Sequence, residues 1–233
     1  MKNRFFTRQF VHCTNRRLWK GMVIYMDLYT AINQRRTIRD FDDREVDLEI
    51  IARILEAGLK APTNDHMRNW EFVVISDKKE KATIVENISK DTSKDRAHKI
   101  IESWNMTDDS QIGMYMDAIP KQYSMLYHAG CIVLPFFKQS WPLLKPETLS
   151  SLNPFASIWL CIENILLAAT VEGLGVSLRI PSEKELDYLR EVVHYPEDYY
   201  LPCYLGIGYP SKDAVIIPQK HFNIKDKLHI NQW

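Results

Sequence analysis

One stretch constrains this chain more than any other. Residues 155–172 place Phe155, Ile158, Trp159, Ile162, Ile165, Leu166 and Ala169 on nearly every face of a helix that Gly173 closes. A helix apolar all round must be covered by other layers, so it is expected at the centre of the fold as its spine. Ser157, Glu163, Asn164 and Thr170 interrupt it, so it falls short of the uninterrupted apolar run a membrane-spanning helix needs. A soluble, cytoplasmic protein with no membrane partner is the expectation.

The elements around the spine alternate in kind. Asp27 can cap a short helix carrying Leu28, Ala31 and Ile32. Asp47 opens a second with Leu48, Ile51, Ile54, Leu55 and Leu59 at amphipathic spacing, left at Pro62. Residues 70–76 (WEFVVIS) and 131–137 (CIVLPFF) read as strands, as do 174–180 and 201–208, while 138–154 reads as a connecting loop. Residues 78–127 are polar and read as helices joined by loops. Ser182 with Glu185 forms a capping box for a helix through Val193. No repeat or internal boundary appears, so residues 27–233 are expected to form a single α+β domain.

Charge removes some classes of function. With 30 Lys+Arg against 30 Asp+Glu the chain has no net field to draw nucleic acid or anionic lipid, and no nucleic-acid partner is expected. The six cations of residues 1–26 (Lys2, Arg4, Arg8, Arg16, Arg17, Lys20) meet no acid, leaving the rest acidic. Met22 and Met26 offer internal starts, so this basic leader reads as a loose arm or an over-extended frame rather than a targeting signal. Cys13, Cys131, Cys161 and Cys203 are scattered and three lie in apolar runs, which predicts free buried thiols and no metal site.

Two loops carry chemistry. Arg35, Arg36, Thr37 and Arg39 follow a helix directly, a set suited to a phosphate through charge-assisted hydrogen bonds, although cations there also complement the helix dipole. Residues 61–70 gather Pro62, Thr63, Asn64, His66, Arg68 and Asn69 between a helix and a strand, where a planar ligand could be hydrogen-bonded along its edge. The Gly-x-Gly pairs at Gly173 and Gly206 neither reach a third glycine nor open a helix, so they are not dinucleotide fingerprints. With no Gly-x-Ser-x-Gly or His-Glu-x-x-His pattern, any reaction is expected to be carried by a cofactor.

Taken together these segments resemble the FMN-dependent nitroreductase family. AINQRRTIRDF resembles that family's Arg-Arg-Ser-x-Arg-x-Phe opening, and LEAGLKAPTNDHMRNWEFVVI its Ala-Pro-Ser...Asn-x-Gln-Pro-Trp loop and strand. ENILLAATVEGLGVSLRIP, LPCYLGIGYPSKD and KLHINQW follow in the family's order. The resemblance implies a central, mostly antiparallel sheet flanked by helices, in a homodimer that exchanges its termini and holds FMN at the interface. It assigns Arg35, Arg36, Thr37 and Arg39 to the FMN phosphate and ribityl chain, and Pro62, Thr63, Asn64 and His66 of the second copy to the ring edge. The backbone of Leu178, Arg179 and Ile180 would face flavin N5 and O4, with Lys220 or His221 completing the phosphate site. Thr63 stands where the family has Ser, His66 where Asn is typical and Arg68-Asn69 where Gln-Pro is usual. A cation at Arg68 facing the flavin would stabilise its anionic reduced form.

The activity implied is ping-pong reduction of small electron-poor acceptors, nitroaromatics or quinones, by NADH or NADPH through FMN, with no protein side chain as catalyst. The alternatives are a specialised flavin reaction such as reductive dehalogenation, or a flavin carrier or redox sensor that does not turn over NAD(P)H.

Overall fold

The computed structural model describes residues 26–233, so Cys13 and all of the basic leader except Met26 lie outside the described residues. Capping fixes where the first helices start. Asp27 accepts the Thr30 N–H at 3.1 Å and opens α1 (Leu28–Gln34), and Asp47 accepts the Glu49 N–H at 2.8 Å and opens α2 (Leu48–Gly58). Beyond β1 (Trp70–Ile75), the polar segment resolves into α3 (Lys78–Ile84), α4 (Lys94–Ser103), α5 (Asp109–Ala118) and the single turn α6 (Ser124–Tyr127). Then come β2 (Cys131–Lys138), α7 (Asn153–Val171), β3 (Gly175–Arg179), α8 (Glu183–Val193), β4 (Tyr199–Tyr200) and β5 (Tyr204–Gly208).

The sheet runs β1-β2-β5-β3, with β4 paired to the far end of β2, and every pairing is antiparallel. Strand alternation splits β2 between two cores. Cys131, Val133 and Phe137 pack with Ile51 and Ile54 of α2 and Ile158, Ile162 and Ile165 of α7, whereas Ile132, Leu134 and Phe136 face Ile84, Leu126 and Leu189 of α3, α6 and α8. The result is a helix–sheet–helix sandwich with α7 along one face. A smaller cluster joins Ala97 and Ile101 of α4 to Ile119 just past α5.

The long helix departs from expectation. Leu149–Val171 reaches a mean hydropathy of 1.6 and has the length to cross a bilayer, yet Ile158, Cys161, Ile162, Ile165 and Ala169 are built into the core. Only 33% of the apolar 18-residue stretch within it is buried, and Leu160 and Val171 remain exposed.

Element ends also differ. Lys138, expected to open the loop, closes β2, and α7 starts at Asn153, two residues early, because Pro154 fits a first helical turn. The last strand begins at Tyr204 rather than Leu201. It is preceded by β4, whose two residues are too few to show a period. The capping box at α8 is half formed: Ser182 caps the Glu185 N–H, while the Glu185 carboxylate turns to Arg179. Cys131, Cys161 and Cys203 are buried free thiols, as expected.

Candidate functional site

The Arg35 cluster is set against the sheet's outer strand. Just past α1, the Ile38 N–H donates to the Val176 carbonyl at 3.1 Å, and Thr37 bridges Val176 in parallel, so residues 37–39 run alongside β3. Glycine permits this approach. A Cβ on Gly175 would stand 2.6 Å from the Ile38 Cβ, closer than any side chain tolerates. Because the Val176 carbonyl faces away from β5, the two-residue period turns the backbone groups of Leu178 to the same outer edge, and Ile180 follows just past the strand's end.

Within this cluster the guanidinium groups have different neighbours. Arg36 donates to the carbonyls of Asn33 and Arg35, each at 2.7 Å, and neither Arg35 nor Arg36 is ion-paired among the described residues. Two cations beside a hydroxyl and an open strand edge make a donor set that fits a phosphorylated, edge-on ligand such as FMN. Arg39 differs: its side chain is 10% exposed and bonds Asp117 at 3.1 Å. Sequence spacing gave no signal of that partner, 78 residues away.

The second loop lies elsewhere. Thr63 and Asn64 border a recess of about 30 Å³ that Arg68, Asn69, Lys138 and Ser157 also line. His66 is exposed and sits with Arg68 in left-handed backbone, φ 60° and 48°, a conformation that bulky residues rarely take. Arg68 is turned inward: its Nε donates to the Leu59 carbonyl at 2.7 Å and a terminal nitrogen to the His66 carbonyl at 3.1 Å. These two bonds make Arg68 a clasp closing its own loop.

The rest of the expected set is dispersed. The Arg179 backbone pairs with Tyr204, and its guanidinium grips Glu185, with one contact at 2.7 Å, beside the buried Tyr204 ring. That leaves the buried Arg179 Nε without an acceptor. Lys220 is ion-paired with Asp108 at the start of α5, while His221 is exposed. The loop bearing Pro62 and His66 leads into β1, and residues 35–39 lie on β3, at opposite edges of the sheet. Three strand spacings, roughly 14 Å, separate those edges.

The profile of the Nitroreductase family matches residues 32–209. The chain belongs to the nitroreductase family. Among the chain's relatives, the iodotyrosine deiodinase of Nematostella vectensis is 27% identical over 191 residues, covering 82% of this chain and 69% of that protein. Two solved structures share the fold. Oxidised iodotyrosine deiodinase bound to FMN and 3-iodo-L-tyrosine superposes with a TM-score of 0.63 at 22% identity, over 89% of this chain and 100% of that one. An FMN-dependent nitroreductase from Clostridium difficile R20291 gives 0.58 at 20% identity, over 88% and 100%.

Proposed function

We propose that this nitroreductase family member is a homodimeric FMN-dependent NAD(P)H oxidoreductase acting on small electron-poor acceptors. The observation that carries the reading is the Ile38–Val176 hydrogen bond, which lays Arg35, Arg36 and Thr37 along the open edge of β3. When bound, FMN supplies the chemistry, accepting a hydride from NADH or NADPH and passing the electrons to the acceptor.

The chain's own residues bind and orient. Arg35, Arg36 and Thr37 hold the phosphate by charge-assisted hydrogen bonds, and Leu178 and Ile180 offer backbone donors along the sheet edge to the ring. Lys220 is engaged with Asp108, which leaves the exposed His221 as the terminal phosphate contact. The ring also needs Pro62, Thr63, Asn64 and His66. Their place at the opposite sheet edge supports their arriving from a second copy, as does the apolar surface that α7 leaves uncovered.

The deiodinase relative favours one second reading, reductive dehalogenation of a halogenated phenol at the same site. One experiment tests both. Protein reconstituted with FMN is titrated anaerobically with NADH, then NADPH, and the reduced sample is offered a quinone, a nitroarene or 3-iodo-L-tyrosine. Bleaching of the flavin bands followed by reoxidation by quinone or nitroarene is expected. Iodide release with no quinone turnover favours the second reading, bound flavin that neither nucleotide bleaches points to a carrier or sensor, and failure to bind FMN overturns all three.

A further inference from the structure

Arg39 ends in an alternating chain of charges rather than at an open surface. Its guanidinium bonds Asp117 Oδ2 at 3.1 Å and touches Met114 Sδ at 3.7 Å. The other Asp117 oxygen takes the Lys121 ammonium at 2.5 Å, and Lys121 also reaches Asp40 Oδ2 at 2.7 Å. Asp40 in turn accepts the Val215 N–H at 3.2 Å, and its carbonyl accepts the Ser211 N–H at 3.0 Å. Arg39 and Asp117 are each 10% exposed at the side chain, Lys121 22% and Asp40 29%. The ammonium of Lys121 would lose basicity on burial, but its hydrogen bonds to Asp117 and Asp40 outweigh that and hold its pKa above the ordinary value.

Position gives the chain its meaning. Arg39 and Asp40 continue the segment bonded to β3, Asp117 and Lys121 come from the end of α5 and the turn after it, and Val215 leads toward Lys220 and His221. The four side chains sum to zero charge, and each carboxylate is shared by two partners. Removing one member therefore leaves a definite uncompensated charge next to the phosphate-binding segment, in surroundings too buried for water and salt to screen fully.

We propose that Asp117 is a positioning residue that fixes Arg39 in the cofactor site and neutralises the cationic pair Arg39–Lys121, thereby setting how strongly the site favours reduced over oxidised FMN. This rests on the FMN reading above. Reduced FMN carries one more negative charge than the oxidised form at neutral pH, so an excess of positive charge tightens its binding selectively. Asp117→Asn leaves the cluster at +1, and Asp40→Asn does the same from its other end. Lys121→Met leaves it at −1.

The measurement is the midpoint potential of protein-bound FMN, taken against a dye of known potential, together with the dissociation constant of oxidised FMN. For Asp117→Asn and Asp40→Asn the preference for reduced over oxidised flavin is expected to rise about tenfold, a positive shift of about 30 mV for the two-electron couple. For Lys121→Met a shift of similar size and opposite sign is expected. A merely structural role for Asp117 would weaken folding or FMN retention without ordering the potentials by charge. Should Asp117→Asn fail to fold, Asp40→Asn and Lys121→Met still pull in opposite directions. Wild-type protein that binds no FMN defeats the cofactor reading itself. Wild-type protein that binds FMN alongside folded variants whose potentials stay put, or move the same way, defeats this inference and leaves that reading standing.

Discussion

At the scale of single residues, the described ion pairs sort the cations of the candidate site into those committed within the fold and those available to a ligand. Arg39, Arg179 and Lys220 hold carboxylates, Arg36 and Arg68 each hold two carbonyls, and the Arg35 guanidinium holds neither among the described residues. Arg35→Ala is therefore expected to weaken FMN binding roughly ten- to hundredfold, the worth of one charge-assisted hydrogen bond, as read from quenching of flavin fluorescence. Unchanged binding would reduce Arg35 to a solvated helix-end cation. The buried thiols give a second expectation. Burial pushes Cys131 and Cys161 up to about 12 and raises Cys203 as well, so the folded protein should leave all three unreactive toward a disulfide reagent that titrates them after denaturation. Lys81, 7% exposed and bonded to the Ala129 carbonyl, is shifted the other way by burial. Its folded pKa lies below its unfolded one, so between the two the unfolded chain binds more protons and stability rises with pH. Urea unfolding, followed as pH climbs toward the ordinary lysine range, should show a shallower rise for Lys81→Met than for the wild type.

At the scale of elements, the site depends on one close approach, Ile38 against Gly175. Gly175→Ala must push residues 37–39 off β3 at a cost of about 1 to 3 kcal/mol, the usual penalty for overpacking. A variant that unfolds earlier in urea and also binds FMN more weakly would tie that approach to the cofactor. Equal stability would show that the segment can give way freely. Elements with a strong local pattern could be read from sequence: α2 from its apolar spacing, β1 and β2 from their aromatic and β-branched residues, α8 from its cap. What escaped reading was decided by distant partners. Glu185 matches a capping box but is drawn to Arg179 on the neighbouring strand, and β4 exists only because the end of β2 is there to pair with it.

At the scale of the whole molecule, the same division holds for the site. The residues that would touch a cofactor were legible as motifs, whereas their arrangement depends on strand order, which places one motif at each edge of the sheet. In the interplay of Arg39, Asp117, Lys121 and Asp40, the Lys121–Asp40 contact alone joins residues 81 apart, and it leaves no mark in local spacing. In the proposed dimer a second copy would unite the motifs, and the exposed apolar side chains of α7 and of the C-terminal segment, Leu160, Val171, Ile224 and Ile230, are the surface expected to meet it. Leu160→Asp should halve the mass measured by sedimentation and release FMN with it. A variant that remains dimeric would place the contact elsewhere.

The edge position of β3 has a consequence apart from any chemistry. An outer strand with unpaired amides is a template on which other chains can add, the first step toward aggregates. Here the bridge at Thr37–Val176 caps part of that template with the segment that carries the arginines, which runs on to pair Phe41 with Pro210 just past β5. Cofactor loading would hold the cap shut, so protein produced in cells starved of flavin should fall out of solution sooner than the loaded form, a handicap set by backbone exposure rather than by lost activity.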